Sequence, residues 1–200
     1  KNVGENKTVI IDSLTFPDDI NVKYEIVTPV TTTAGIFKAN VDEAKVTAPT
    51  AKTGLEYTGL AQVLVSEGSS PDGIMEYSLD GKTYSASLPT GTDAYDYEVW
   101  YRVKGDGNHN DTGGTKLASN VTIAPQTVNS PTVEFNPTGA TYDGQEHKPS
   151  VILKDAHGRV IPAAEYTVDY GSTNWKDVGD HTATITGKPD GNYSIIGTPS

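Results

Sequence analysis

The clearest pattern along the chain is a strict alternation of apolar and polar residues between Tyr95 and Lys104. Tyrosine and valine occupy every second position of this segment, while Trp100 and charged residues occupy the positions between them. A period of two residues is typical of a strand that has one face buried and the other in water. The pattern predicts one strand over 95–104, with Trp100 on its exposed face.

Shorter apolar runs between turn-forming residues predict further strands. They lie at Ala61–Ser66, Gly73–Leu79, Leu117–Ile123, Val133–Phe135, Ser150–Leu153 and Tyr166–Tyr170. Asp80-Gly81 and the segment Asp155–Gly158 predict tight turns. Pro162–Glu165 predicts a single helical turn, because proline is accepted at a first helical position. No longer segment repeats its apolar residues with a helical period, so the sequence predicts an all-β fold.

The chain also repeats itself. A shift of 84 residues places Asp106–Asn108 on Asp190–Asn192 and keeps the strand phase, with Tyr101 on Ile185. Residues 1–5 match residues 176–180 as a partial third copy. Self-similarity at a fixed period indicates an array of small modules. We therefore expect tandem small β-sandwich or β-grasp-like modules arranged end to end: the C-terminal part of a module over 1–46, a complete module over 47–124 and another over 125–200.

Proline-containing stretches at 47–50 and 124–131 separate these modules in the sequence. Short linkers with proline are stiff, so we expect semi-rigid joints and modules that extend as a rod. Because the first copy lacks its front half, we also expect the chain to be a piece of a longer protein. The missing targeting signals then carry no meaning.

Composition narrows the classes of function. The net charge of -11, from 26 acidic and 15 basic residues, would repel a polyanion, so nucleic acid is not an expected partner. Cysteine is absent, so each module depends on a modest core without disulfides. No segment is long and apolar enough to span a bilayer, and we expect no membrane insertion of this segment. The 26 threonines and 11 tyrosines favour strands.

Several segments of the chain resemble those of a known protein family. Tyr57–Gln62, Tyr77–Gly81 and Gly105–Asp111 resemble repeats in large bacterial surface proteins. Tyr142–Gln145 and Gly191–Tyr193 are similar to repeats of the MBG (mostly beta-grasp) or YDG type, which are Ig-like in general character. The resemblance implies secreted or cell-surface, tandem, β-rich modules of adhesin-like or filamentous proteins. It implies no catalytic residues.

Three aromatic residues are candidates for ligand binding. Trp100 is expected to be exposed, and a surface indole can stack on a sugar ring or anchor a protein contact. The alternatives are that Trp100 packs against a neighbouring module or lies under the stem of Arg102. Trp175 falls in a polar loop and is a second candidate. Tyr95, which stands where the resembled repeats usually have glycine, is a third.

An oxygen-rich loop offers a candidate metal site. Asp106, Asn108, Asn110 and Asp111 present oxygen atoms at the spacing of a calcium loop. The loop lacks the glycine expected at its sixth position, and Leu117 replaces the glutamate expected at the twelfth. The alternative is an ordinary turn, since glycine, asparagine and aspartate are common in turns. Apart from calcium on these residues, we expect no cofactor.

No sequence motif supports catalysis. The four histidines lack a zinc spacing, and no nucleophile elbow occurs. Together with this absence, the resemblance to bacterial surface repeats implies a non-catalytic spacer region of a secreted or cell-surface bacterial protein, an adhesin-like stalk whose partners are the neighbouring repeats. The alternative is that the module over 47–124 binds a host or cell-surface glycan or protein through Trp100.

Overall fold

Short strands dominate the fold, because glycine, proline and aspartate interrupt the apolar runs. The computed structural model describes residues 2–11, 30–171 and 174–196. The strands are β1 (Gly4–Ile11), β2 (Val30–Ile36), β3 (Thr50–Ala51), β4 (Leu55–Glu56), β5 (Gln62–Val63), β6 (Val65–Ser66), β7 (Gly73–Ser78), β8 (Thr90–Gly91), β9 (Tyr95–Tyr97), β10 (Trp100–Gly105), β11 (Thr115–Lys116), β12 (Val121–Ala124), β13 (Gln126–Asn129), β14 (Thr132–Asn136), β15 (Ser150–Lys154), β16 (Val160–Ile161), β17 (Tyr166–Asp169), β18 (Thr184–Gly187) and β19 (Tyr193–Ile196). Within those ranges the helical elements are two 3₁₀ turns, Glu43–Lys45 and Ala163–Glu165. The predicted all-β fold is confirmed.

These elements belong to two compact units, each drawn from three segments of the chain. The first unit takes the described residues within 1–50, with Glu67–Leu88 and Trp100–Leu117. The second unit takes Ala51–Ser66, Pro89–Val99 and the described residues from Ala118 onward. The module boundaries expected after residues 46 and 124 stay predictions.

The first unit contains a two-stranded ladder and a three-stranded sheet. β1 and β2 pair antiparallel, with Ile11 opposite Val30. In the sheet, β10 lies between β7 and β11 and pairs antiparallel with both. Met75, Tyr77 and Val103 are buried, and the Tyr77 hydroxyl accepts the N–H of Gly68 at 2.9 Å. The alternating pattern of β7 therefore buries one face of this sheet.

The predicted single strand over 95–104 is wrong. It breaks at Glu98 and Val99, and its halves pair with different partners: β9 with β12, and β10 with β7 and β11. Val99 and Val103 are buried as the alternation predicted, whereas Tyr95 is 65% exposed. The alternation of apolar and polar residues continues between β9 and β10, because Val99 is buried although it belongs to neither strand. A period of two reports burial and carries no information on which strand pairs with which.

The second unit has its own buried core. β12 pairs antiparallel with β9 and parallel with β4, and its inward residues Val121 and Ile123 are buried. β14, β15 and β16 form an antiparallel sheet, β17 pairs with β18, and β5 pairs with β8. The buried cluster consists of Val128, Leu153, Ile161 and Tyr166.

Other predictions succeed where the signal is local. The strands predicted at 73–79, 133–135, 150–153 and 166–170 correspond to β7, β14, β15 and β17. The predicted helical turn after Pro162 is present as a 3₁₀ turn. The segment predicted at 61–66 is divided by the buried Leu64 into β5 and β6, and the strand predicted at 117–123 begins only at Val121.

The predicted turn at 155–158 is confirmed, and Asp155 organises it. Asp155 is 6% exposed, and its carboxylate accepts the N–H groups of His157 and Arg159, each at 2.9 Å. Arg159 Nε donates to the same carboxylate at 2.7 Å. Burial alone would raise the pKa of Asp155, but the backbone and side chain of Arg159 and the N–H of His157 outweigh it, so the pKa lies below its ordinary value.

Asp155 makes the stability of the second unit depend on pH. Because its pKa is lowered by folding, its contribution is present above the unfolded pKa of about 4 and is lost as the pH falls through the lower folded pKa. We expect Asp155→Asn to lower the free energy of unfolding by about 1–2 kcal/mol at pH 7 and to weaken the acid dependence. Urea unfolding at pH 7 and pH 3 measures both. Asp180→Asn, at an exposed position, is the control, and equal acid dependence of the two variants would contradict the assignment.

The predicted linker over 124–131 is wrong in its central part. β12 ends at Ala124 and β13 begins at Gln126, so Pro125 alone separates them. β13 pairs parallel with β19, from Gln126 opposite Tyr193 to Asn129 opposite Ile196. Pro125 and Pro131 flank this strand, so the segment between them is not an irregular linker.

Candidate functional site

Trp100 is half-buried, short of the full exposure that its strand face predicted. Its indole lies on the turn after β7: a Cβ added to Gly81 would stand 3.1 Å from Trp100 Cε2. Asp80 fixes this turn, since its carboxylate accepts from the Ser78 hydroxyl at 2.7 Å and from the N–H groups of Lys82 and Thr83. These bonds, that of Ser78 first, hold the pKa of Asp80 far below its ordinary value. The indole therefore packs against the backbone of Gly81.

The guanidinium of Arg102 is bound to the neighbouring strand β7, and partial cover of Trp100 by the Arg102 stem stays a prediction. Its Nε and Nη2 atoms lie 2.8 and 2.7 Å from Glu76 Oε2, across the β7–β10 ladder. The guanidinium also stacks 4.5 Å from the centre of the Tyr84 ring. Arg102 is thus a cross-strand partner within the first unit.

Tyr95 lies at the edge of a shallow groove in the second unit. Its ring packs edge-on against Tyr97 at 5.4 Å, and the Tyr97 hydroxyl donates to the carbonyl of Asp93 at 3.0 Å. Glu165 and Asn192 line the opposite part of this groove. Of the three candidate aromatic residues, Tyr95 is the most exposed, since Trp100 is half-buried and Trp175 is buried.

Trp175 lies in a loop, as predicted, but its side chain is buried at 8% exposure. The indole Nε1 donates to the carbonyl of Tyr170 at 2.8 Å. The ring of His181 stacks on the indole with 5.0 Å between the ring centres, and the Tyr170 ring stands nearly perpendicular to the indole at 5.2 Å. Because these neighbours leave it only 8% exposed, Trp175 lacks the free surface that the binding hypothesis gave it.

A cavity of about 470 Å³ adjoins Trp175. Tyr142, His147 and His181 line it, and the His147 N–H donates to the Trp175 carbonyl at 2.9 Å. Asp143 lies 2.7 Å from His147 Nε2, and its pKa is lowered first by the N–H of Gln145 and then by that histidine. Sequence reasoning missed this group because its members come from two separate segments, 142–147 and 175–181, that share no motif. It has no lining residue in common with the groove at Tyr95.

The oxygen-rich loop is bonded within its own unit. Asp106 accepts the N–H of Asn108 at 2.7 Å and lies 2.8 Å from His109 Nδ1, and these contacts lower its pKa. Asn108 Oδ1 accepts from Val3, and Asp111 Oδ1 accepts from Gly105. The amide of Asn110 donates to Asn40 at 3.0 Å.

A positive charge already faces this loop. Lys38 Nζ donates to the carbonyls of Asp106 and His109, each at 3.1 Å. These hydrogen bonds, with those of the preceding paragraph, are the ones expected of an ordinary turn. Among the residues that the structure describes, no three histidine, aspartate or glutamate side chains form a group able to hold a metal ion. Calcium binding stays a prediction.

Sequence reasoning also missed the most connected side chain of the groove, Asn192. Its Oδ1 accepts the N–H of Ala94 at 2.7 Å, and its Nδ2 donates to Asp93 at 3.2 Å. Its own N–H donates to Glu165 Oε2 at 2.7 Å. The repeat at 106–108 and 190–192 pointed to this asparagine, but only as a turn residue.

Comparison with known proteins adds no relative. No protein-family model, no curated protein and no solved structure matches the chain. Over the described ranges, no helix has the length and apolar character needed to cross a membrane. The fold and its sites therefore define the class by themselves: an all-β protein of short strands in several small sheets. The resemblance to MBG and YDG repeats stays a prediction.

Proposed function

We propose that this chain is a non-catalytic spacer region of a secreted or cell-surface bacterial protein. In this proposal the segment 47–124 is a complete β-repeat module and 125–200 is a complete MBG-like module, and these tandem modules hold another part of the parent protein away from the cell. The all-β fold and the net charge of -11 support the proposal, since an acidic surface keeps an exposed array soluble. Neighbouring repeats are then the main partners.

The observation that carries the proposal is the joint between these two segments, within the second unit. Glu56 Oε1 accepts the N–H of Thr127 at 3.1 Å. The rings of Tyr57 and Tyr193 meet edge to face at 5.4 Å. The side chain of Asn192 adds its two hydrogen bonds to the loop at 93–94.

Asn192 is held in place for this contact by its own module. Its N–H donates to Glu165, and its carbonyl accepts the N–H of Gln126 at 2.9 Å. Because Pro125 alone connects β12 to β13, the covalent link has no slack. A spacer needs a fixed angle between successive modules, and these contacts support a stiff joint in the part of 47–124 that belongs to the second unit.

The stiffness of the joint is testable with spin labels, because the chain has no cysteine of its own. Leu60→Cys and Val160→Cys place labels at exposed positions on the two sides of the joint. We expect double electron–electron resonance to give a distance distribution as narrow as that of Val160→Cys with Val178→Cys, which both lie in 125–200. Asn192→Ala is expected to broaden only the first distribution. A broad distribution across the unaltered joint would contradict a stiff spacer.

Binding of a glycan or protein through Trp100 is the alternative function. The half-exposed indole leaves room for such a contact, although Gly81 takes one face. A glycan-array or pull-down signal that Trp100→Ala abolishes, at an unchanged melting temperature, would favour binding over spacing.

A further inference from the structure

In both proposed modules, an early strand pairs in parallel with the last described strand: β4, the strand after β3, in 47–124, and β13, the first strand, in 125–200. In 47–124, β4 pairs with β12, with Leu55 opposite Ile123 and Glu56 opposite Ala124. In 125–200, β13 pairs with β19 over four residue pairs. Five further pairings of the second unit are antiparallel: β5–β8, β9–β12, β14–β15, β15–β16 and β17–β18.

The direction of pairing decides how a ladder responds to tension. When a chain is pulled from its two ends, an opening strand is drawn backward and a closing strand forward. If these strands are parallel neighbours, the force runs along the ladder, and its hydrogen bonds must break together. If they were antiparallel neighbours, the force would act at one end of the ladder and open the bonds one after another. Parallel pairing of opening and closing strands therefore resists extension.

Two features stabilise the hydrogen bonds of the β13–β19 ladder. Backbone bonds extend it beyond both ends, from Gln126 N–H to the Asn192 carbonyl and from Ser130 N–H to the Ile196 carbonyl, each at 2.9 Å. On its inner side, Val128 is buried in the core, and Ile195 packs against the same cluster. Water has poor access to bonds backed by a packed core, so replacement of these bonds by water is slow.

The shorter ladder follows the same plan. Val121 and Ile123 are buried on the inner side of β12. The bond from Tyr57 N–H to the Ala124 carbonyl, at 2.8 Å, extends the β4–β12 pair by one step. The tension that leaves β12 at Ala124 passes through Pro125 directly into β13. The two ladders thus lie in series along the chain.

We propose that these two parallel ladders are mechanical clamps, and that the chain serves to carry tension along its length. The inference deepens the proposed spacer function and rests on it for its biological role. Resistance to shear is nevertheless a property of the purified chain. It is measured separately from joint stiffness, so either idea can fail alone.

The test compares two pulling directions on one ladder. Ala124→Cys with Ile196→Cys attaches handles that load β13 and β19 in shear. Asn129→Cys with Ile196→Cys attaches handles at adjacent ends of the same two strands and opens the ladder one bond at a time. All three positions are exposed. Urea unfolding first compares the two double-cysteine variants, so that the pulling experiment uses variants of equal stability.

We expect the unfolding force of the shear pair to exceed that of the opening pair at least about twofold at the same pulling speed, because forced unfolding follows the barrier along the pulled direction. Equal forces in the two directions would overturn the clamp, and so would a larger force for the opening pair. A positive result here with a broad spin-label distribution would keep the clamp and reject the stiff joint.

Discussion

Replacing Leu153 by alanine is expected to lower the free energy of unfolding of the second unit by about 2–5 kcal/mol. Leu153 has no exposed surface and packs with Val128, Ile161 and Tyr166. Truncation removes the buried methyl groups and leaves a cavity that neighbours on β13 and β16 fill only in part. Because Val128 belongs to the β13–β19 ladder, the same change is expected to reduce the unfolding force in shear.

Urea unfolding followed by circular dichroism measures the loss. Leu60→Ala is the matched control, since Leu60 is 72% exposed in the same unit and its truncation is expected to change stability by less than about 0.5 kcal/mol. Similar losses for the two leucine variants would show that Leu153 does not anchor a core.

Gly73→Ala is the second large effect, in the first unit. A Cβ at this position would stand 2.2 Å from the carbonyl oxygen of Lys104, on the adjacent strand. Gly73 is opposite Gly105 in the β7–β10 ladder, so the clash is with backbone that no side-chain rotation relieves. We expect the strands to separate at this end and the free energy of unfolding to fall by about 3 kcal/mol.

Gly107→Ala provides the control within the same unit. No atom lies within 4 Å of a Cβ built on Gly107, and stability is expected to change by less than about 0.5 kcal/mol. Thermal unfolding of both variants separates a general effect of replacing glycine from the clash at Lys104. A tolerated Gly73→Ala would mean that β7 and β10 are farther apart than described.

The sequence predicted burial well where neighbours along the chain determine it. Val99 and Val103 are buried as the alternation requires, and the turn at 155–158 forms as its residues predict. The break between β9 and β10 could not be predicted, because both halves keep the same phase. Pairing depends on partners such as β12 that are distant in sequence.

The candidate sites show the same limit. Trp175 stands among polar residues, so its loop was predictable, but its burial under His181 comes from the tertiary fold. β13 escaped prediction because it carries one apolar residue, Val128, between two prolines. The repeat pointed to Asn192 only as a turn residue, because its contacts at 93–94 depend on how two distant segments meet.

The parallel pairing of β13 with β19 also affects when the second unit can fold during synthesis. A growing chain contains β13 long before Tyr193–Ile196 have been made, and its partner carbonyls do not yet exist. Closing such a distant contact is slow, because the intervening chain must lose its freedom before the ladder forms. The β13–β19 ladder therefore forms only after Tyr193–Ile196 have been made, whereas the local pairs β14–β15 and β15–β16 do not depend on that strand.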